Sequence, residues 1–257
     1  MKINGIIFYF ILIPSLFSSE YQIYKYEIKW KGILIGYAQM GIYGIIEYQN
    51  EPCYILQTTA YNTPFLQTFY PVKDRIVSYW SVQKQIPYYS EKNLNEGNYH
   101  RHQKSFFYYD KKEIYWIQKE FSGNVKNREN RWKFKEGNTK IIENTQDILS
   151  AIFYNKFSKK QPYVGAKFSI PLFDDTKLTE LHIHIIEKQK IKVKLNNDVL
   201  YKDAWIVKPF YDTTGLFRLA GDLTIWISDD INRDILKMTA KIPYIGIINV
   251  ELIEINN

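Results

Sequence analysis

The sequence predicts an all-β fold, mainly antiparallel, in which a curved sheet or incomplete β-barrel is wrapped around one central α-helix. Three observations lead there. From Tyr21 onward, short runs rich in Tyr, Ile, Val and Phe alternate apolar and polar residues at period two. Gly, Asn, Asp and Pro separate those runs, as hairpin turns require. One stretch, Thr145 to Phe157, abandons that period for helical spacing.

Taken in order, the alternation predicts strands over Tyr21 to Trp30, Ile33 to Tyr48, Cys53 to Tyr61, Asp74 to Ser81, Ile86 to Asn93, His100 to Asp110, Glu113 to Phe121 and Arg131 to Phe134. After the helix come Lys167 to Leu172, Thr179 to Lys188, Ile191 to Leu195, Leu200 to Pro209, Asp222 to Ile227, Ile235 to Ile242 and Ile245 to Ile255. Turns are expected at Trp30-Lys31-Gly32, Gln49-Asn50-Glu51-Pro52, Asp110-Lys111-Lys112 and Leu195-Asn196-Asn197-Asp198, and a meander of neighbouring strands is the economical topology. In the helical stretch, Ile148, Leu149, Ile152, Phe153 and Phe157 make an apolar stripe, with Thr145 as N-cap and Asp147 in the first turn. A lone amphipathic helix among strands must lay that stripe on a sheet, and the inside of a curved sheet buries most of it.

The N-terminus has a different character. Lys2, an apolar run from Ile6 to Ile13, the Pro14 break and the small residues Ser18 and Ser19 form a secretion signal by pattern, so residues 1–19 are read as a signal peptide and residues 20–257 as a single domain. The expected location is the periplasm. The single cysteine, Cys53, excludes an internal disulfide and is read as a small buried apolar side chain. A net charge of +7 favours anionic partners such as an anionic membrane surface, lipopolysaccharide or an acidic polymer, although Lys and Arg are spread along the chain as on solvated strand faces; export argues against nucleic acid. Nothing in the pattern calls for an oligomer, and a monomer is expected.

Few residues offer chemistry. The four histidines form two His-x-His pairs, His100 with His102 and His182 with His184, and residues two apart on a strand share a face. In Leu181 to Ile185 the apolar residues take one face and the histidines the other, so no metal site is expected. Asp174-Asp175 and Asp229-Asp230 fall at strand ends, where aspartates cap turn N–H groups. There is no nucleophile elbow, phosphate loop, dinucleotide fingerprint or EF-hand loop, and neither an enzyme nor a cofactor is expected. Aromatic residues make up 17% of the chain, 22 of them tyrosine, and Tyr and Trp suit surfaces apolar on one side and wet on the other. Phe69, Tyr70, Tyr88, Tyr89, Phe106 and Tyr108 are the candidate lining of an apolar, ligand-binding groove.

With these residues in hand, the chain resembles the DUF3108 family of exported bacterial proteins. The resemblance rests on Tyr26 to Ile33 with Gly36 and Ala38, Phe69-Tyr70-Pro71-Val72-Lys73-Asp74, Glu96-Gly97-Asn98-Tyr99, Gln146 to Ala151, and Ile225-Trp226-Ile227-Ser228-Asp229-Asp230 with Arg233, all in family order. It implies an envelope location and a β fold about one helix, similar in outline to lipoprotein carriers of the LolA and LolB type; it implies no catalytic residues. Two functions follow as expectations: a carrier holding a lipid, acyl chain or lipoprotein segment in the concavity, or a non-enzymatic structural or interaction protein of the envelope with a filled barrel.

Overall fold

A computed structural model describes residues 21–123, 132–157, 161–210, 223–242 and 245–256. The signal-peptide segment lies outside the described residues.

Alternating runs joined by short polar turns pair with their neighbours, and the chain does this twice. β1 (Gln22–Trp30), β2 (Ile33–Tyr48), β3 (Glu51–Asn62), β4 (Lys73–Ser81), β5 (Pro87–Glu96), β6 (Tyr99–Tyr108), β7 (Glu113–Ser122) and β8 (Lys133–Lys140) form one antiparallel meander, interrupted after β3 by a four-residue helix, α1 (Pro64–Gln67). A two-residue strand, β9 (Gln146–Asp147), leads into α2 (Ile148–Phe157). A second meander follows: β10 (Lys167–Asp174), β11 (Lys177–Leu195), β12 (Asp198–Phe210), β13 (Leu223–Ser228), β14 (Ile235–Ile242) and β15 (Gly246–Asn256). Antiparallel pairing of β1 with β15 joins the meanders into one fifteen-stranded sheet. The sheet is open, with β8 at one end and β9, paired in parallel with β10, at the other.

The turns follow their residues. Gln49-Asn50 and Asn196-Asn197 each place two successive residues at positive φ (53° and 61°; 50° and 70°), the geometry of a hairpin whose twist matches its strands. The expected break between Thr179–Lys188 and Ile191–Leu195 is absent: β11 runs unbroken through Lys188-Gln189-Lys190, because β12 continues to pair across them, and the irregularity is a register shift between Ile185 and Glu187. Polarity had interrupted the hydrophobic period but not the backbone ladder.

The helix also differs from its expected form. Its cap is Asp147, not Thr145: Asp147 Oδ1 accepts the N–H groups of Leu149 (2.8 Å) and Ser150 (3.0 Å), and Asp147 N–H donates to Ser150 Oγ (2.9 Å). Thr145 Oγ1 turns back to Ile142 O at 2.7 Å, so the helix has ten residues. Its first turn is buried on every side, Ile148, Leu149, Ser150 and Ala151 alike, where an amphipathic helix would bury one stripe. It touches β3, β4, β9 and β10, strands far apart in the sheet order. Leu149 and Phe153 enter a core shared with Tyr24, Tyr26, Leu56 and Trp80 from the first meander and Ile170, Ile183 and Leu236 from the second.

Candidate functional site

Inward positions of β4–β7 are unusual for a sheet interior. β4 and β5 pair Ser78 with Ser90 and Ile76 with Lys92; β5 and β6 pair Ser90 with Ser105, Lys92 with Gln103 and Leu94 with Arg101; β6 and β7 pair Gln103 with Gln118. All except Ile76 are buried, so a polar lattice lies where the other half of the sheet carries apolar side chains.

This lattice faces the far end of the sheet. Lys92 forms a buried ion pair with Asp174 at the end of β10, and Arg101 pairs with Asp175 in the β10–β11 turn. Ser78 Oγ donates to Asp147 Oδ2 (2.5 Å), and Trp80 Nε1 donates to Gln146 Oε1 (3.1 Å), tying β4 to β9. Thr139 Oγ1 of β8 donates to Thr176 O at 2.7 Å. Asp175 and Thr176 both sit at positive φ (47° and 69°), which is strained for a β-branched residue and is held here by the contacts with Arg101 and Thr139. Phe107, Ile114, Ile141 and Phe173 pack as a small apolar cluster beside these links. Side chains thus bridge the two ends of the sheet where no backbone ladder joins them.

Burial raises the Asp147 carboxyl above its ordinary range, against the hydrogen bonds from Ser78, Ser150 and Leu149 and the Lys92 charge. Among the described residues of this lattice and its partners, three buried side-chain atoms have no hydrogen-bond partner: Arg101 Nε, Gln118 Oε1 and Asp174 Oδ2. Ser78 meets a carboxylate but no imidazole, since His100 and His102 point to the opposite face of β6. His100 Nδ1 lies 2.9 Å from Asn95 Oδ1 with its ring stacked on Phe121, and His102 Nε2 lies 2.7 Å from Glu91 Oε1. His182 meets Ser169 Oγ and stacks on Phe210. The two His-x-His pairs are on β6 and β11, which are not neighbours, and among the described residues no group of three or more His, Cys, Asp or Glu side chains could hold a metal ion.

The model of the DUF3108 family, described as a protein of unknown function, matches residues 25–253. The chain belongs to that family. Among solved structures, this DUF3108 protein is similar to a β-barrel-like protein of the DUF1849 domain of unknown function from Brucella abortus, at 8% identity, covering 92% of this chain and 97% of that one with a TM-score of 0.52. At that identity the likeness concerns fold alone. No curated protein matches the chain.

Stretches that carried the family resemblance meet in space. The bridge between Val72 and Glu96, the Gly97 N–H donating to Pro71 O (2.7 Å) and the Asn95 N–H donating to Asp74 Oδ1 (2.8 Å) join Phe69–Asp74 to Glu96–Tyr99. Gly97 is required there: at φ 56° an added Cβ would fall 2.4 Å from the Tyr70 ring. Burial pushes the Asp74 carboxyl up to about 7.

The six aromatic candidates divide among several places. Tyr89 and Phe106 are cross-strand partners, rings 5.4 Å apart, in a ladder on the outer face that continues to Tyr79 and Tyr115. Tyr88 packs with Cys53 and Ile86 and meets Tyr109 edge-on. Tyr108 lies under Lys111 near the β6–β7 turn, Phe69 is 73% exposed beside Phe65, and Tyr70 covers Gly97. They do not converge on one concavity. Open grooves of about 610 Å³ (His102, Lys104, Lys119 and Phe134 among the lining) and about 460 Å³ (Lys73, Arg75, Asn93 and Asn95) lie on the outer face, and no α2 side chain lines either.

Of the paired aspartates, Asp230 caps its turn as expected, accepting from Ser228 Oγ and the Asn232 and Arg233 N–H groups. Asp174 and Asp175 do not cap; they are the acidic half of the interior links. Sequence reading missed Lys92, Arg101 and Gln103. The available signal was the run Arg101-His102-Gln103-Lys104-Ser105, polar on both faces of a strand with apolar neighbours.

Proposed function

We propose that this DUF3108 protein is exported to the periplasm and acts there, without catalysis, as an interaction protein of the cell envelope whose sheet wraps around α2 as a plug. The carrying observation is the occupation of the interior. Leu149 and Phe153 are 1% and 3% exposed, and the Phe157 ring lies 5.8 Å from that of Tyr54 and 5.3 Å from that of Trp80. Lys156 locks the helix end by donating to Asp234 Oδ1 (2.9 Å) and Asn232 O (2.8 Å), and Tyr24 OH donates to the same Asp234 oxygen at 2.7 Å. An acyl chain would have to displace these groups, which supports a filled barrel over a carrier and leaves the outer surface to do the work.

Native mass spectrometry of the purified protein, with solvent extraction of the same sample, tests the reading. The chain mass alone and no displaceable apolar dye are expected. A co-purifying acyl lipid would return the concavity to a carrier role. Fractionation of cells expressing a C-terminally tagged chain should place the mature protein in the periplasm.

A further inference from the structure

One edge of the molecule gathers exposed apolar side chains from separate connections. Phe65 and Phe69, on and just after α1, are each 73% exposed, with rings 5.4 Å apart. Ile33, opening β2, is 63% exposed; Ile245 and Ile247, at the start of β15, are 50% and 51% exposed. Hydrogen bonds and strand pairing make these one rim. Trp30 Nε1 donates to Ile245 O (2.8 Å), Trp30 pairs with Ile33, and the Thr63 N–H before α1 donates to Ile35 O (2.9 Å). Since β3, β2, β1, β15 and β14 are successive in the sheet, the rim is about 20 Å wide at one strand spacing per step.

The connection that carries the phenylalanines is built rigidly. Asn62 Nδ2 donates to Tyr70 O (2.5 Å), Asn62 Oδ1 accepts the Val72 N–H (3.2 Å), and the Tyr70 ring sits over Gly97. Such bracing holds two aromatic side chains in water that a slack loop would fold away. Exposed cations lie along the same rim: Lys31, with its ammonium 4.9 Å from the Trp30 ring centre, Lys73 paired with Tyr61, and Lys241 opposite Ile247.

We propose that this rim docks on an anionic lipid bilayer, with Phe65, Phe69 and Ile33 entering the interface while Lys31, Lys73 and Lys241 meet headgroup phosphates. Charge complementarity selects this occupant: apolar tips inside a fringe of lysines match a negatively charged surface with an apolar layer beneath it. Aromatic side chains suit that boundary. The inference goes beyond the filled-barrel reading and does not depend on it, because the rim lies outside the interior.

The test is binding of the full chain to sonicated vesicles of phosphatidylcholine alone and with 30 mol% phosphatidylglycerol (a chosen composition), read by flotation and by amide hydrogen exchange. Exchange reports on the rim separately from the N-terminal apolar run. Anionic vesicles should slow exchange over residues 61–72 and 30–36 but not around the Asn196-Asn197 turn, and added salt should weaken the effect. F65S/F69S should lower the partition coefficient about tenfold or abolish rim protection, with unchanged thermal unfolding because both side chains are exposed; K31E/K73E should do so on anionic vesicles. Protection unaltered by F65S/F69S, or none at the rim, would overturn the proposal. So would concentration-dependent self-association that F65S/F69S abolishes, since the rim would then be an interface between copies of this chain.

Discussion

Under β1–β3 and β11–β15 the interior is apolar, with Tyr26, Leu56, Ile183 and Leu236 packed on Leu149 and Phe153; under β4–β7 it is a lattice of Ser78, Lys92, Arg101 and Gln103 facing Asp147, Asp174 and Asp175. The two halves are held by different physics. Apolar burial is non-directional and stabilises in proportion to area. Buried charge must recover a large desolvation cost through geometry, and three unpartnered atoms show that recovery is incomplete. The polar half therefore adds less to stability than its contacts suggest, and its lattice fixes which residues of the two open ends face each other.

That contrast can be broken from either side. Phe153→Ala removes a ring from the apolar half and should cost about 3–5 kcal/mol in denaturant unfolding. A cost below about 1 kcal/mol would mean that the Phe153 ring contributes little to that apolar core. Asp174→Ala leaves the Lys92 ammonium buried and unpaired and should cost about 3 kcal/mol or more. The decisive comparison is the double variant Lys92→Met/Asp174→Leu, which should recover most of that loss or exceed the wild type. A double variant as unstable as Asp174→Ala would show that the pair itself is strongly stabilising.

A smaller effect should appear with pH. Asp74 holds its proton up to about 7 in the fold and releases it near its ordinary 3.8 when unfolded. Between those values the folded state binds the extra proton, so its contribution to stability falls as pH rises. The wild type should lose melting temperature from pH 4.5 to 7.5, and Asp74→Asn should flatten that slope. The smallest effect belongs to the solvent-facing ion pair of Lys29 with Glu251, 2.9 Å apart: Glu251→Gln should change stability by less than about 1 kcal/mol, and added salt should erase the difference.

Much of the fold was legible because strand pairing of neighbours is a local matter. β2 and β14 have the bounds that alternation predicts, and positive-φ residues fall within the expected turns at Lys31-Gly32, Gln49-Asn50, Lys112 and Asn196-Asn197. The interior site was less legible. Asp174-Asp175 read as an ordinary strand end because its partners, Lys92 and Arg101, are more than 70 residues away on strands joined to it by no hairpin. The aromatic candidates scattered for a related reason: Tyr88 and Tyr89 alternate across the sheet, so neighbours in sequence face different environments.

By itself, the sequence determined that the chain makes antiparallel strands and the helix α2, though not the short helix α1, since backbone propensity, turn chemistry and period are encoded within a few residues. Only the tertiary structure decided that the first and last strands pair, that α2 is buried on all sides through its first turn, and that Lys92 and Arg101 meet Asp174 and Asp175 across the interior. Those outcomes depend on which surfaces meet after the strands have formed, and no local period records that.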